Sequence, residues 1–335
     1  MANIIFSESS GLCDSIYGKS QAPIRLFLEK KGEAFENESQ LKNLFYTQDS
    51  DHFGEKFTYL TSMEGFRAVG ENGAYPIDEA QEGFAKFFEH TTFKNSFAIS
   101  REMIEDSKTI DLKKKPAAFI QSYYRTKEKL GAALFGNALM ENEKFTFADK
   151  EFDATCADGL PLFSKGHKGV KTADVQCNIF SDTFSEDSLG AIESAMQNFR
   201  GDSGELLDIA PDTILIPNVH SLKKQVFAAI GADKDPSGSG NGFNYHFGRW
   251  NVIVWNYLND YVRDGDMPFI LIDSRYNSDN AGAVWLDRTP LEVRSTVDEN
   301  TDANIWRGYA RFSAGFNDWR FAAAGGMQSG SSILE

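Results

Sequence analysis

Apolar residues recur at three- and four-residue steps in one long stretch, "DLKKKPAAFIQSYYRTKEKLGAALFGNALM", which begins at Asp111. This spacing places them along one face of an α-helix. Asp111 is a candidate cap, and Pro116 is expected near the first turn. The helix should run for roughly 25 to 30 residues, hence about 40 Å, which suits a spine across a flat subunit. We call it the spine helix, and its predicted core residues are Phe119, Ile120, Tyr123, Leu130, Leu134 and Phe135.

A second pattern, in residues 51 to 85, predicts a long β-hairpin. "KFTYLTS" alternates β-formers with polar residues, and "GENGAYP" is rich in turn residues, with Asn72-Gly73 suited to positive φ. The sequence offers this hairpin no third strand. An isolated two-stranded ribbon is marginal in water, so we expect it to find a partner surface on another chain. The candidate contact residues are Lys56, Tyr59, Phe66, Arg67 and Tyr75.

The remaining patterns mix helices and strands, which predicts an α+β fold. Residues 1 to 50 indicate an N-terminal arm with some helix, packed on a neighbour. "SEDSLGAIESAMQNFR" predicts an amphipathic helix capped by Ser185, and "VHSLKKQVFAAIG" a helix ended by Gly231. The predicted strands are "EGFAKFFEHTTFKNSFAIS", "PDTILIPN", "WNVIVWNYL", "MPFILIDS" and two strands near the end of the chain that flank a polar, acidic turn.

One stretch, "FKNSFAISREMIEDSK", crowds charged residues and could be read as an acid/base cluster. It holds Arg101, Glu102, Glu105 and Asp106. A catalytic carboxylate needs a partner and a perturbed environment, and here basic residues flank the acids. Acids ahead of a helix also favour its positive end. We therefore interpret the stretch as a joint between a strand and a helix, without catalytic residues.

Metal and phosphate sites find little support in the sequence. Cys156, His167 and Cys177 share one irregular segment, but zinc sites usually contain a closely spaced pair and four ligands. "DKDPSGSGNGFN" imitates a calcium loop but carries Asn244 where the closing glutamate belongs. His220 and His246 are interpreted as structural. The sequence predicts no catalytic residue, no metal and no cofactor.

Composition and charge narrow the class of protein. The chain has 335 residues, of which 28 are Phe, enough for a large core and for packed interfaces. Its formal net charge of -15 argues against a reader of nucleic-acid sequence, which would be basic where it meets phosphate. Three cysteines make no disulfide framework. No signal peptide and no stretch long enough to span a membrane are visible, which predicts a soluble protein in a reducing compartment.

The order of these pieces resembles the major capsid proteins of tailed bacteriophages, which share the HK97-like fold, and is most similar to the Mu-like branch. The resemblance covers residues 45 to 327, and "DGLPLFSKGH" and "NDWR" are its more specific motifs. It implies an N-terminal arm (1–50), an extended loop (51–92), a peripheral domain with the spine helix (93–205) and an axial domain (206–300). Residues 301–335 would hold a strand that returns to the peripheral domain, and the C-terminus.

The resemblance also implies partners. Copies of the chain would form hexamers and pentamers that close an icosahedral shell around double-stranded DNA, assembled in the host cytoplasm. A separate scaffolding protein and a portal are expected, DNA contact would be non-specific, and no membrane is involved. Two alternatives stay open at this point: an encapsulin-type shell that encloses cargo enzymes, and an acid/base hydrolase with converging carboxylates in a monomer.

Overall fold

The computed structural model describes most of the chain. The described residues are 5–8, 14–60, 66, 68–71, 73–75, 77, 82–106, 109–170, 174–202, 204–231 and 244–334. The α-helices are α1 (Asp14–Glu38), α2 (Leu41–Leu44), α3 (Arg101–Asp106), α4 (Thr109–Leu139), α5 (Glu186–Gln197), α6 (His220–Gly231) and α7 (Ser274–Asn280), with a 3₁₀-helix at Asn256–Tyr261. The strands are β1 (Ile5–Glu8), β2 (Tyr46–Asp49), β3 (Gly54–Leu60), β4 (Glu82–Glu89), β5 (Thr91–Ile99), β6 (Lys144–Phe147), β7 (Lys150–Asp153), β8 (His167–Lys168), β9 (Val175–Gln176), β10 (Thr213–Pro217), β11 (Asn251–Trp255), β12 (Phe269–Ile272), β13 (Ala283–Val297), β14 (Asn304–Phe316) and β15 (Ala322–Gly325).

A five-stranded sheet lies under the spine helix, with the order β1-β13-β14-β5 and β2 also paired to β13. β13, β14 and β5 run antiparallel, while β1 and β2 pair with β13 in parallel. Alternate residues of β5 and β14 point to α4, because successive side chains of a strand face opposite sides. Phe97 and Phe119, for example, pack with ring centroids 5.1 Å apart across this interface. The alternation therefore gives the sheet one face toward α4 and one face away from it.

A second sheet has the order β11-β10-β12-β15. Every residue of β10 is buried, as expected for a strand in the middle of a sheet that is covered on both faces. The predicted helix after Ser185 is present as α5, and Ser185 caps it in a reciprocal capping box with Ser188. The predicted helix ended by Gly231 is present as α6. These local predictions from capping and periodicity are confirmed.

The spine helix is α4, and it is longer at its start than predicted. It spans 31 residues and begins at Thr109, so Asp111 lies inside the helix and does not cap it. Pro116 is also inside the helix, not in its first turn. Proline removes one backbone hydrogen bond from a helix interior. Pro116 is buried.

The N-terminal segment packs on its own chain, which differs from the predicted arm on a neighbour. α1 lies along α4, with Leu28 fully buried and the rings of Phe35 and Tyr124 stacked at 5.7 Å. Just after α1, Ser39 Oγ donates a hydrogen bond of 2.6 Å to Glu128 Oε1 on α4. The described part of this helix therefore packs on the spine helix through Leu28 and Phe35, which the short apolar stripe in the sequence did not reveal.

Three further features of the structure concern the predicted joint between a strand and a helix, the extent of one predicted strand and the predicted domain division. Arg101–Asp106 forms the short helix α3, between β5 and α4, where a joint was predicted. The strand predicted in "WNVIVWNYL" ends at Trp255, and Asn256–Tyr261 is a 3₁₀-helix. β13 joins the sheet under α4, although the axial domain was expected to extend to residue 300, and β15 pairs with β12 in the other sheet. Hydrogen bonds to strands that are distant in sequence determine which sheet β13 and β15 join. The domain boundaries themselves stay predictions.

Candidate assembly surface

The predicted hairpin is present as a two-stranded ribbon of β3 and β4. The strands are antiparallel, with Gly54 opposite Glu89 and Leu60 opposite Glu82, and the register shifts between Thr58 and Leu60. In the described part of the chain, no third strand pairs with the ribbon. A side chain at Gly54 would collide with the ring of Phe87, so glycine permits the close approach of the strands here.

The ribbon and the connection at its far end expose an unusual amount of apolar surface. Phe66, Tyr75 and Ile77 are almost completely exposed, at 112%, 95% and 89%. Large aromatic and aliphatic side chains are costly to leave in water, and a contiguous exposed set marks an interaction site. The other exposed apolar residues of this region are Phe53, Val69, Phe84 and Phe87.

The base of the ribbon, in contrast, is fixed to the body by a small apolar cluster. Phe88 is 5% exposed and packs with Val284 and Leu286 of β13. Phe57 on the opposite strand meets the Phe88 ring edge-on, with centroids 5.7 Å apart. The ribbon therefore leaves the subunit from a defined point.

A mostly buried lysine lies in this base. Lys86 Nζ donates hydrogen bonds to the carbonyl and the hydroxyl of Thr155 and lies 3.1 Å from Asp153 Oδ2. Burial alone would raise the pKa of Asp153, but the Lys86 ammonium and hydrogen bonds from Thr155 outweigh it and hold that pKa below its usual value. The ion pair links β4 to the end of β7.

A buried histidine occupies the turn between the ribbon and β5. His90 Nε2 lies 2.9 Å from Ser50 Oγ, and His90 Nδ1 lies 3.1 Å from Ser313 Oγ. Ser50 Oγ donates in turn to Glu55 Oε1 at 2.7 Å. Burial, with the nearby Arg311 guanidinium, lowers the pKa of His90. The network joins the ribbon to the sheet strand β14.

The predicted contact residues fall on the ribbon or outside the described residues. Lys56 is exposed on β3, and Tyr59 belongs to the same strand. Phe66 and Tyr75 are exposed, while Arg67 lies outside the described residues. Of the predicted spine core, Phe119, Ile120, Leu130, Leu134 and Phe135 are buried, and Tyr123 is half-buried against that core.

The other candidate sites are occupied by the protein's own contacts. His167 Nδ1 lies 2.6 Å from Asp158 Oδ2, Nε2 lies 3.2 Å from the Leu162 carbonyl, and the ring stacks on Trp319 at 4.4 Å. Burial raises the pKa of the Cys156 thiol well above its usual value. Among the described residues, no cluster of acidic, histidine and cysteine side chains could hold a metal ion. The predicted loop 233–244 lies outside them except for Asn244.

Residues at the suspected acid cluster and the structural histidines also have ordinary contacts. Arg101 pairs with Asp302 across the surface at 3.3 Å. His220 is the first residue of α6. His246 is buried and accepts a hydrogen bond of 3.1 Å from Trp250 Nε1 on its Nδ1 atom. Sequence reasoning missed Lys86 and His90 at the base of the ribbon. The available signal was that Lys86 lies between Phe84 and Phe88 at every second position, hence on one face, of β4.

The sequence matches a known protein family, and the match extends over most of this fold. A family model described as phage capsid protein matches residues 84–325. The chain belongs to the phage capsid protein family. The match begins in β4 and ends in β15, so it includes α4 and the strands of both sheets. The protein is thus a major capsid protein of a virion, and the match favours this over an encapsulin-type shell.

Solved structures have the same fold as this capsid protein. A chain of Mycobacterium phage Patience matches with a TM-score of 0.52 and 11% identity, covering 99% of this chain and 95% of that one. The capsid of an empty GTA particle matches with a TM-score of 0.51 and 12% identity, covering 85% and 88%. The HK97-like α+β prediction is therefore confirmed, while the Mu-like branch stays a prediction. No curated protein matches the chain.

The capsid protein has no candidate for a membrane-spanning helix in its described part. Its longest helix, α4, carries charged residues along much of its length, including Lys127, Glu128 and Lys129.

Proposed function

We propose that the ribbon is the arm through which copies of this capsid protein hold one another in hexamers and pentamers. The observation that carries the proposal is a ribbon with a fixed, buried base and an apolar far end. Phe66, Tyr75 and Ile77 expose apolar area that the surface of a neighbouring copy would cover. A shell needs many repeated contacts of modest strength, and one arm for each subunit supplies one such contact for each copy.

The hexamers and pentamers close an icosahedral shell around double-stranded DNA. The net charge of -15 supports this role, because packaged DNA has to slide without sticking to the shell. Contact with DNA is non-specific. A separate scaffolding protein guides assembly, and a portal occupies one vertex.

The protein's contribution is structural, and it catalyses no reaction. The hydrogen bonds of His167 support this, because both ring nitrogens already have partners inside the protein. The raised pKa of Cys156 supports it as well, since a buried thiol is a poor nucleophile. The carboxylates of α3 lie on a short helix, and Glu102 is exposed to solvent.

Electron microscopy of the purified protein tests the proposal. The wild-type chain should form rings or closed shells. A variant in which residues 61 to 81 are replaced by a short Gly-Ser turn should remain a folded monomer, because the base formed by Phe57, Lys86 and Phe88 is kept. A matched control replaces the acidic turn 298–303 between β13 and β14 by a Gly-Ser turn of equal length, and it should assemble.

Two results would contradict the proposal. A wild-type protein that stays monomeric at all protein and salt concentrations does not self-assemble. A shortened ribbon that still gives complete shells assigns the assembly contact to another surface. Thermal unfolding of each variant confirms that loss of shells does not come from loss of the fold.

A further inference from the structure

A cleft of about 220 Å³ lies between the spine helix and the five-stranded sheet, and we call it the spine cleft. Its floor is formed by Leu291 of β13 and by Ala310 and Phe312 of β14, all of which are buried. Phe119 and Tyr123 of α4 form the facing wall. No described residue of the ribbon lines the cleft, so the proposed function makes no use of it.

Small residues on β14 leave this room. Gly308 and Ala310 are two positions apart in the strand, so they lie on the same face of the sheet, toward α4. The ring of Phe119 covers Gly308, where any Cβ atom would collide with it. Ala310 carries only a methyl group and lies opposite Phe93, whose ring stacks on Phe312 with centroids 4.3 Å apart. The cleft is therefore a gap in a row of aromatic rings.

The polar groups at the mouth of the cleft are bonded to one another. Asn95 Nδ2 donates to Ser122 Oγ at 3.2 Å, and Ser122 Oγ donates to the Phe119 carbonyl at 2.7 Å. Thr126 Oγ1 donates to the Ser122 carbonyl at 2.8 Å. A water molecule held in a pocket needs about two to four polar partners, and here both hydroxyl donors are already used. The cleft therefore favours an apolar occupant over ordered water.

We infer that the spine cleft binds a small molecule with a single aromatic ring and apolar substituents. An apolar cavity of about 150 Å³ holds benzene, so a volume of about 220 Å³ has room for a ring with one or two methyl groups. Aromatic pairs are stabilised in offset-stacked and edge-on arrangements, and Phe93, Tyr123 and Phe312 supply rings on several sides. Burial raises the pKa of Tyr123, so its phenol adds no charge to the wall.

A free ring fits the cleft better than a side chain from another copy of the chain. The mouth lies beside the turn between β6 and β7, where Ala148 borders it. A side chain would bring its own backbone to this mouth, and those amide groups would lose water. The hydroxyl donors of Ser122 and Thr126 are already used, so they offer that backbone no replacement.

Saturation-transfer NMR on the full-length protein tests the inference, with p-cresol as the probe and 4-methylcyclohexanol as its saturated analogue. Titration should give a dissociation constant of roughly 0.1–1 mM for p-cresol, the range expected for a ligand of about eight heavy atoms. The saturated analogue has the same number of heavy atoms but no π system, so it should bind about threefold to tenfold more weakly. The measurement needs no assembly and is made on free subunits.

Two variants place the ligand. Ala310→Leu fills the cleft from its floor and should weaken p-cresol binding at least roughly tenfold, and Thr92→Leu, which adds the same side chain at an exposed position on the opposite face of the sheet, is the matched control and should bind as the wild type does. If Ala310→Leu does not fold, Ser122→Leu at the mouth takes its place. Gln121→Leu, at an exposed position of the same helix, is then the control.

Each outcome decides the inference without reference to shells. Weaker p-cresol binding in the cleft variant alone supports it. Equal dissociation constants for p-cresol and its saturated analogue would show that the cleft selects size and not an aromatic ring, and binding that survives the cleft variants lies elsewhere; either result overturns the inference. If free subunits bind no p-cresol, while Ala310→Leu gives fewer shells than Thr92→Leu, a side chain of another copy fills the cleft and the inference is wrong.

Discussion

Lys127 on the spine helix places its ammonium 3.1 Å from both carboxylate oxygens of Asp287 on β13. The Lys127 side chain is only 15% exposed, and its Nζ atom lies 5.1 Å from the ring of Trp285 and 5.6 Å from that of Phe312. Trp285 Nε1 also donates to Asp287 Oδ1 at 3.1 Å. One charged pair thus joins the spine helix to the sheet at the edge of its aromatic core.

Removing one member of this pair should destabilise the subunit. Asp287→Asn removes the carboxylate that pairs with Lys127 and leaves the ammonium group against aromatic rings. We therefore expect a loss of about 1–3 kcal/mol in the free energy of unfolding, measured in urea. The control is Glu151→Gln, which breaks the exposed pair with Lys144 and should leave that free energy unchanged within error. Equal effects of the two variants would mean that the Lys127–Asp287 pair is as solvated as the surface pair.

The apolar face of the spine helix should contribute more than any of its charges. Leu134 is fully buried in the core, so Leu134→Ala should cost about 2–5 kcal/mol and reduce the yield of folded subunit. Lys129→Ala on the exposed side of the same helix is the control and should change stability little. Urea unfolding measures both, and a negligible effect of Leu134→Ala would show that the core position is misassigned.

Acid should weaken the base of the ribbon through His90. Because its pKa is lowered in the folded protein, the unfolded chain takes up the proton first as the pH falls. The stability that neutral His90 provides is therefore complete above its ordinary pKa of about 6.5 and is lost as the pH falls from there toward the lowered folded value. The groups around it are Arg311 and Arg288, which oppose protonation, and Glu55 and Asp287, which favour it.

A variant isolates this effect. His90→Gln should make the unfolding free energy fall less between pH 7.5 and pH 5 than in the wild type. Burial also lowers the pKa of His246, so part of the slope should remain and should shrink further in a variant that also carries His246→Gln. A slope that is unchanged in His90→Gln would show that His90 does not couple folding to pH.

Limited proteolysis should distinguish free from assembled subunits at the ribbon. Ordering a two-stranded ribbon costs backbone entropy, which a neighbour's surface offsets. We expect trypsin to cut free subunits first at Lys56 and Arg67, and chymotrypsin at Tyr59, leaving a large resistant core. The same bonds should be cut slowly in shells. The control variant Lys56→Gln/Arg67→Gln should lose the early tryptic cut, and equal rates in free and assembled wild type would argue against an intersubunit arm.

Short-range features of the fold could be predicted from the sequence because a few neighbouring residues determine them. The three- and four-residue spacing from Phe119 to Phe135 predicted a helix, and Ser185 and Gly231 marked where helices begin and end. Period-two alternation predicted the strands of the ribbon. These signals depend on backbone geometry within one element, and so they can be read without a partner.

The sequence alone therefore determined the α+β class, the spine helix, the ribbon and the order of pieces that resembles a capsid subunit. Only the tertiary structure decided that α1 packs on α4, that β13 joins the five-stranded sheet while β15 joins the four-stranded one, and that His90 lies between Ser50 and Ser313. It also decided that Arg294 and Arg307 face each other across β13 and β14. The physical reason is that these contacts join residues far apart in the chain, and side-chain packing and strand register, which local periodicity does not encode, select among the possible pairings.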